Sequence, residues 1–328
     1  MIDWTRRHRS YFFPALVLGA IAASLGIELF VNRILRPDAE EITWIGDALL
    51  SGGFIVVTWL WVRLRETQMA LTDLERQQIV AETQLTIAAR VQRSLLPALP
   101  GPSGGISWHA AVEPAGKIGG DYYDFVPLPD GRMCVVLADV SGKGVPAAVF
   151  LANVRGTLRA LARDATHPRT LLSTLSSALL ADSTSGLYLT CIVGFVDPRE
   201  RSMVYVNAGH PAGVLWNRKR SRALPVGGPP AGLLAGTCFE EESLELGDGD
   251  LVVFVSDGIT EALNASGNGV VDAIAAQIEQ ADGPTPDAVC ARLLAAARSG
   301  SGPPGVDGWM DDRTALVFGI GETRITNH

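Results

Sequence analysis

The segment LLPALPGPSGG (95–105) divides the chain into two parts that must fold by different rules. Its prolines lack the N–H that a helix needs and its glycines favour turns, so no element can run through it. Upstream, from Leu64 to Leu96, there is no glycine, and charged and glutamine residues dominate, which predicts one long helix. Written in heptads from Leu64, the a positions are Leu64, Leu71, Gln78, Leu85 and Gln92, and the d positions are Thr67, Leu74, Ala81, Ala88 and Leu95. Polar residues at a set register at some cost in stability. A lone amphipathic helix packed on the next domain would show a similar stripe. The heptads favour a parallel dimeric rod, and hence a homodimer through this linker helix, 63–97.

Two apolar stretches precede the rod. YFFPALVLGAIAASLGIELFV (11–31) carries one charge, Glu28, and IGDALLSGGFIVVTWLWV (45–62) carries one, Asp47. A spanning helix needs about 20 residues, so each is long enough, the second only just. Arg6, Arg7 and Arg9 lie before the first and Arg63 and Arg65 after the second, while Asp38, Glu40 and Glu41 lie between them. The positive-inside rule then predicts a two-helix membrane anchor over residues 1–62, with both ends in the cytoplasm. A cleaved signal peptide or a buried core hairpin competes with this reading. The second stretch close behind the first argues against the signal peptide, and the length of the first against the hairpin.

Beyond the breaker, MCVVLADV (133–140), LYLTCIVGFVD (187–197), SMVYVNAG (202–209), LVVFVSDG (251–258) and RTALVFGI (313–320) read as strands. Helical patterns occupy roughly 145–163, 169–181, 270–281 and 286–298. Strands in consecutive sets and helices in pairs predict an α+β domain over 98–322 rather than a βαβ repeat. A net charge of −8, with 27 Lys and Arg against 35 Asp and Glu, leaves no basic footprint for nucleic acid. Cys134, Cys191, Cys238 and Cys290 are scattered without metal-ligand spacing, so they read as buried free thiols.

Aspartates stand where these runs end. Asp121 lies in IGGDYYDF, Asp139 in LADVSGKG, Asp257 in FVSDGITEA, and Asp311 and Asp312 in MDDRTALVF. A single aspartate at a strand end is ordinarily a turn or cap residue. Several gathered at one end would repel one another and need cations to neutralise them. Oxygen donors without His or Cys select Mg²⁺ or Mn²⁺ over zinc, and a pair of such ions can align a phosphate for in-line attack. No GxxxxGK[ST] loop accompanies Lys143 and no Cys-x5-Arg loop is present, which excludes P-loop and cysteine-based phosphate chemistry.

Taken in order, GGDYYDF, ADVSGKG, NAGHP, SDGITEA and DDRT resemble the motif series of bacterial PPM-type serine/threonine phosphatases of the SpoIIE-like class. AARVQRSLLP (88–97) resembles the helix that leads into those domains, and the likeness spans about residues 82–320. It implies two packed antiparallel β-sheets flanked by α-helix pairs, two divalent cations (Mn²⁺ or Mg²⁺), and hydrolysis of phosphoserine or phosphothreonine. By motif, Asp139 would bridge both metals with the Val140 carbonyl completing one shell, and Asp257 and Asp311 would ligate on the other side. Asp139 and Asp257 would be the catalytic pair, acting through metal-held water. Asp121 matches the acidic position nearest the metals, Asp312 one that ligates or supports a ligand, and Asp124 one that orders its loop. His210 of NAGHP reads as a turn-fixing residue rather than a general acid. The implied partner is a phosphorylated anti-anti-sigma protein of the STAS type in a partner-switching pathway. A non-catalytic scaffold that binds a phosphoprotein is the alternative.

Overall fold

Strands such as MCVVLADV are apolar on both faces, so they need cover on both sides. The fold supplies it with four layers. The computed structural model describes residues 43–97, 105–182, 186–218, 220–267, 269–300 and 311–321, and some positions between 19 and 30. Two compact units divide the chain, Met1–Ala81 and Glu82–His328.

In the second unit the strands are β1 (Ile106–Glu113), β2 (Asp121–Pro127), β3 (Met133–Val140), β4 (Leu189–Asp197), β5 (Ser202–Ala208), β6 (Gly213–Asn217), β7 (Arg220–Leu224), β8 (Glu242–Glu245), β9 (Leu251–Val255) and β10 (Arg313–Ile320). They form two antiparallel sheets, ordered β1-β10-β9-β6-β7 and β2-β3-β4-β5-β8. Between the sheets lie Tyr123, Phe125, Val135, Leu137, Val252, Phe254, Leu316 and Phe318. Trp108 stacks on Phe125 with centroids 3.5 Å apart, and Phe318 meets Phe125 and Phe254 edge-on, so aromatic contacts tie one sheet to the other.

Alternation sends the next residues outward. Tyr122, Cys134, Val136 and Ala138 face α2 (Val145–Ala162) and α3 (Pro168–Asp182), whose Leu151, Val154, Leu158, Leu172 and Leu175 cover that sheet. Val253, Val255, Ala315 and Val317 are covered by α4 (Asp257–Ala262), α5 (Gly269–Glu279) and α6 (Pro286–Gly300). The α+β sandwich expected from the motifs is therefore present, and its long helices fall close to the predicted ranges.

The N-terminal expectations fare differently. The first apolar stretch, 11–31, falls largely outside the described residues. The second lies in α1 (Thr43–Leu95), a single 53-residue helix. Among the described residues no helix is long and apolar enough to cross a membrane. The two-span anchor is therefore not shown by the described residues. The thiol expectation needs one correction: Cys134, Cys191 and Cys290 are buried, but Cys238 is exposed in the loop before β8.

Candidate active site

Antiparallel pairing decides which strand ends meet. The first residue of β2, Asp121, pairs with Asp139 near the end of β3, and Asp139 pairs with Thr190 at the start of β4. In the other sheet Val255, the last residue of β9, pairs with Ala315 near the start of β10. Asp257 follows the first of these and Asp311 and Asp312 precede the second, so all three gather at one end. A hydrogen bond joins the sheets there, the Thr314 hydroxyl donating to Asp121 Oδ2 at 2.5 Å.

Asp257 does not end a strand, as its motif suggested. Ser256 caps α4, and Asp257 is the first residue of that helix, where a carboxylate is favoured by the helix dipole. Ser256 Oγ donates to the Asp312 carbonyl at 3.0 Å and accepts from Thr314 N–H at 2.8 Å, locking the start of α4 to the entry of β10. At Gly258 a Cβ would collide with the Asp312 carbonyl and come within 3.1 Å of that of Asp311, so only glycine allows the two segments this close.

The Gly119-Gly120 pair has the same explanation. A Cβ on Gly120 would lie 2.5 Å from Asp139 Oδ1 and 3.1 Å from the Val140 carbonyl. Asp312, buried, holds this turn from the other side. Its carboxylate accepts from the Ala115 amide at 2.7 Å, from Gly120 at 2.5 Å and, longer, from Asp121 at 3.4 Å. With its oxygens so engaged, Asp312 supports the loop. From α1, the buried Gln92 completes the arrangement: its amide nitrogen donates to the Gly119 carbonyl, and its Oε1 accepts from Gly119 N–H at 3.1 Å.

The carboxylates influence one another strongly. Burial first, then the charges of Asp257, Asp311 and Asp312, push the Asp139 carboxyl up to about 7, and the Lys143 ammonium pulls it back. Burial and then the Asp139 charge raise Asp121 well above the usual carboxylate range, and burial and the Asp311 charge raise Asp257. Lys143 Nζ lies 3.2 Å from Asp311 Oδ1. Among the described residues no three acidic, His or Cys side chains converge closely enough to hold an ion as they stand. The donor set nevertheless fits hard divalent cations. It consists of oxygens only, from Asp139, Asp257, Asp311 and the Val140 carbonyl, with Asp121 beside them, and glycine leaves open the space over Asp139 Oδ1 and Val140 O.

His210 is no part of this chemistry. It is buried, its N–H donates to Asn207 Oδ1 at 2.8 Å, and its Nδ1 is 2.9 Å from Thr190 Oγ1. Burial pulls its pKa down to about 3, so it stays neutral and fixes the chain between β5 and β6. Asp124 also differs from expectation. It does not order a loop but sits fully buried within β2, accepting from the Tyr122 hydroxyl at 2.5 Å and from Arg159 of α2 at 2.6 and 2.7 Å.

Ser256, Thr314 and Gln92 escaped the sequence reading as site residues. The first two lay inside quoted motifs but carry no charge to draw notice. Gln92 was assigned to the helix seam, and nothing in a heptad tells a partner helix from a glycine turn.

A family model described as Stage II sporulation protein E (SpoIIE) matches residues 129–320, more than half of the chain. The chain belongs to the SpoIIE family. Phosphoserine phosphatase RsbU of Bacillus subtilis is 27% identical over 188 residues, which cover 57% of this chain and 56% of its own length. Protein IcfG of Synechocystis is 26% identical over 275 residues, covering 74% of this chain and 41% of its own length. The chain therefore spans about half the length of these curated relatives. Among solved structures, the RsbU and RsbW domains of a Mycobacterium tuberculosis protein match at 28% identity and a TM-score of 0.57, over 69% of this chain and 63% of that one. The PP2C domain of SiaA from Pseudomonas aeruginosa matches with a TM-score of 0.60 at 18% identity, over 74% of this chain and 97% of that one, a likeness of fold alone. The SpoIIE-family domain of this chain thus has the PP2C-like architecture of two antiparallel sheets between helix layers.

Proposed function

We propose that this chain is a metal-dependent protein phosphatase that hydrolyses phosphoserine or phosphothreonine on a cytoplasmic regulatory protein. One observation carries the reading: both sheets deliver aspartates to one end of the sandwich, where Gly120 keeps the space over Asp139 and Val140 clear. Asp139, Asp257, Asp311 and the Val140 carbonyl would hold two divalent cations, Mn²⁺ or Mg²⁺, with Asp121 beside them. When bound, such ions activate water and neutralise phosphoryl charge. The chain's own residues orient that site: Thr314 fixes Asp121, Ser256 fixes the entry to Asp257, and Asp312 and Gln92 fix the Gly119-Gly120 turn. Release of phosphate from a phosphoserine peptide should require Mn²⁺ or Mg²⁺ and fall by at least about a hundredfold in Asp257→Asn, as loss of a main electrostatic group does. Binding of the phosphopeptide without turnover under any divalent ion would instead favour the scaffold reading.

The substrate we favour is a phosphorylated anti-anti-sigma protein of the STAS type, within partner switching. What supports it is family membership and the likeness to RsbU, itself named a phosphoserine phosphatase.

The N-terminal part we read as an anchor and dimer rod at the bacterial cytoplasmic membrane. Hydropathy and the arginine flanks support the anchor, as do exposed Phe54, Val57, Trp59, Leu60 and Trp61 on α1. Arg63 lies 5.7 Å from the Trp59 ring and Arg65 4.8 Å from that of Trp61, the pairing of aromatic belt and basic flank that suits a membrane interface. Leu64, Leu71 and Leu74, at heptad a and d positions, are exposed on the single helix, as a rod partner would need. Full-length chain should sediment with membranes through alkaline carbonate washing and cross-link as a dimer at a cysteine introduced for Leu71. Recovery as a soluble monomer would defeat both parts.

A further inference from the structure

Lys143 is a cation set at the rim of a carboxylate cluster, and the local chain is shaped to put it there. Ser141 is pinned to Tyr188, its N–H donating to the Tyr188 carbonyl at 3.0 Å and its hydroxyl accepting from the Tyr188 amide at 2.9 Å. Gly142 and Gly144 on either side of Lys143 take φ of +97° and +78°, conformations that other residues adopt only under strain. The position of Lys143 is thus imposed by backbone, with its ammonium 3.2 Å from Asp311 and its side chain two-thirds exposed. Directly after it, Gly144 caps the 18-residue helix α2 with no side-chain hydrogen bond, and the first turn of that helix has no acidic residue. An anion beside Lys143 would therefore also lie near an uncompensated helix N-terminus.

We propose that Lys143 is the phosphoryl-binding residue of this site, held by Asp311 until a phosphate dianion takes its place. The inference rests on the metal-dependent reading above and gives a role to the one cation within the Asp139 motif, ADVSGKG. Asp139, Asp257 and Asp311 would hold the cations, and with their charge so neutralised they would attract the ammonium less. An exposed ion pair such as Lys143–Asp311 is weak and exchanges readily. A lysine is suited to that exchange, being a compact charge on a flexible stem that can turn from one oxygen to another without breaking a fixed fork of hydrogen bonds. The same group would draw an anionic substrate toward a cluster that otherwise repels it.

Full-length chain should be compared with Lys143→Met and Lys143→Arg, both mild at an exposed position. With no substrate present, direct titration should show Lys143→Met binding Mn²⁺ about two- to fivefold more tightly, because the competing ammonium is gone. At saturating Mn²⁺ the inhibition constant for inorganic phosphate should rise about tenfold or more in Lys143→Met, as when a charged hydrogen bond is lost, with KM rising alongside and kcat changing less. Lys143→Arg should keep phosphate inhibition near that of the parent. Mn²⁺ affinity that fails to tighten in Lys143→Met, or phosphate inhibition that fails to weaken, overturns the proposal. Absence of Mn²⁺ binding in the parent chain would instead bring down the metal-dependent reading itself, and this inference with it.

Discussion

Glycine 120 shows how little room separates the two motifs that matter most. Its missing side chain is what lets Asp139 and the Val140 carbonyl stand beside the turn that begins β2, and an added Cβ would meet both at 2.5 and 3.1 Å. Asp139 Oδ1 and the Val140 carbonyl are proposed metal donors, so the steric conflict falls on the site and not on the core. Gly120→Ala should therefore fold, at a cost of about 1–3 kcal/mol for the local shift. Its Mn²⁺-dependent phosphate release should drop by a factor of about a hundred, as when catalytic geometry moves by an ångström. A thermal melt separates the two effects: a variant that melts near the parent yet keeps full turnover would show that Gly120 is there for the loop alone. The neighbouring Asp312 works on the same turn from outside, and its charge is as visible in sequence as that of Asp139. Only the amides arranged around it distinguish a loop-holding carboxylate from one open to a metal.

At the scale of elements, legibility followed burial. Strands β3, β9 and β10 are buried on both faces along almost their whole length, and they stand out in sequence as unbroken apolar runs. Strand β8 reads ESLE and is mostly exposed, while β7 reads RSRAL with alternate residues facing solvent, so neither carries enough apolar signal. Strand β2 was seen as a motif and not as a strand, because DYYDF places Asp124 in the middle of a buried run. That carboxylate is tolerated only because Arg159 reaches it from α2 and Tyr122 from two residues away, partners that local sequence does not reveal. The same three residues fasten α2 to β2. The six-residue helix α4 was absorbed into the β9 run, since one and a half turns cannot establish a 3.6-residue period. The candidate site was legible earlier than the fold around it: charges at strand ends announce themselves, whereas the uncharged Ser256, Thr314 and Gln92 that orient them do not.

For the whole molecule, the question is where the catalytic part begins. The Pro/Gly breaker suggests a boundary at residue 98, but the second compact unit starts at Glu82, inside α1. Between these two points Ala89 and Gln92 are buried, and Leu96 packs against both apolar clusters of the sheet next to α2. The last turns of the helix are therefore part of the domain, and through Gln92 they touch the Gly119-Gly120 turn beside Asp139. A chain starting at residue 98 loses the burial of Leu96 partners and both Gln92 hydrogen bonds, about 2–4 kcal/mol together. It should melt roughly 5–15 °C below a chain starting at residue 82, given the usual slope for domains of this size. Its Mn²⁺ affinity should also fall, because the turn over the metal donors is no longer held from the helix side. Two fragments, 82–328 and 98–328, measured by calorimetry and by direct Mn²⁺ titration, give the comparison. Equal melting temperatures and equal Mn²⁺ affinities would mean that the helix merely ends near the site. A stable 82–328 beside a loosened 98–328 would make α1 a continuous element with one end in the proposed rod and the other on the turn that supports the aspartates. A shift of the helical residues from Glu82 onward would then reach the turn beside the metal donors through Gln92.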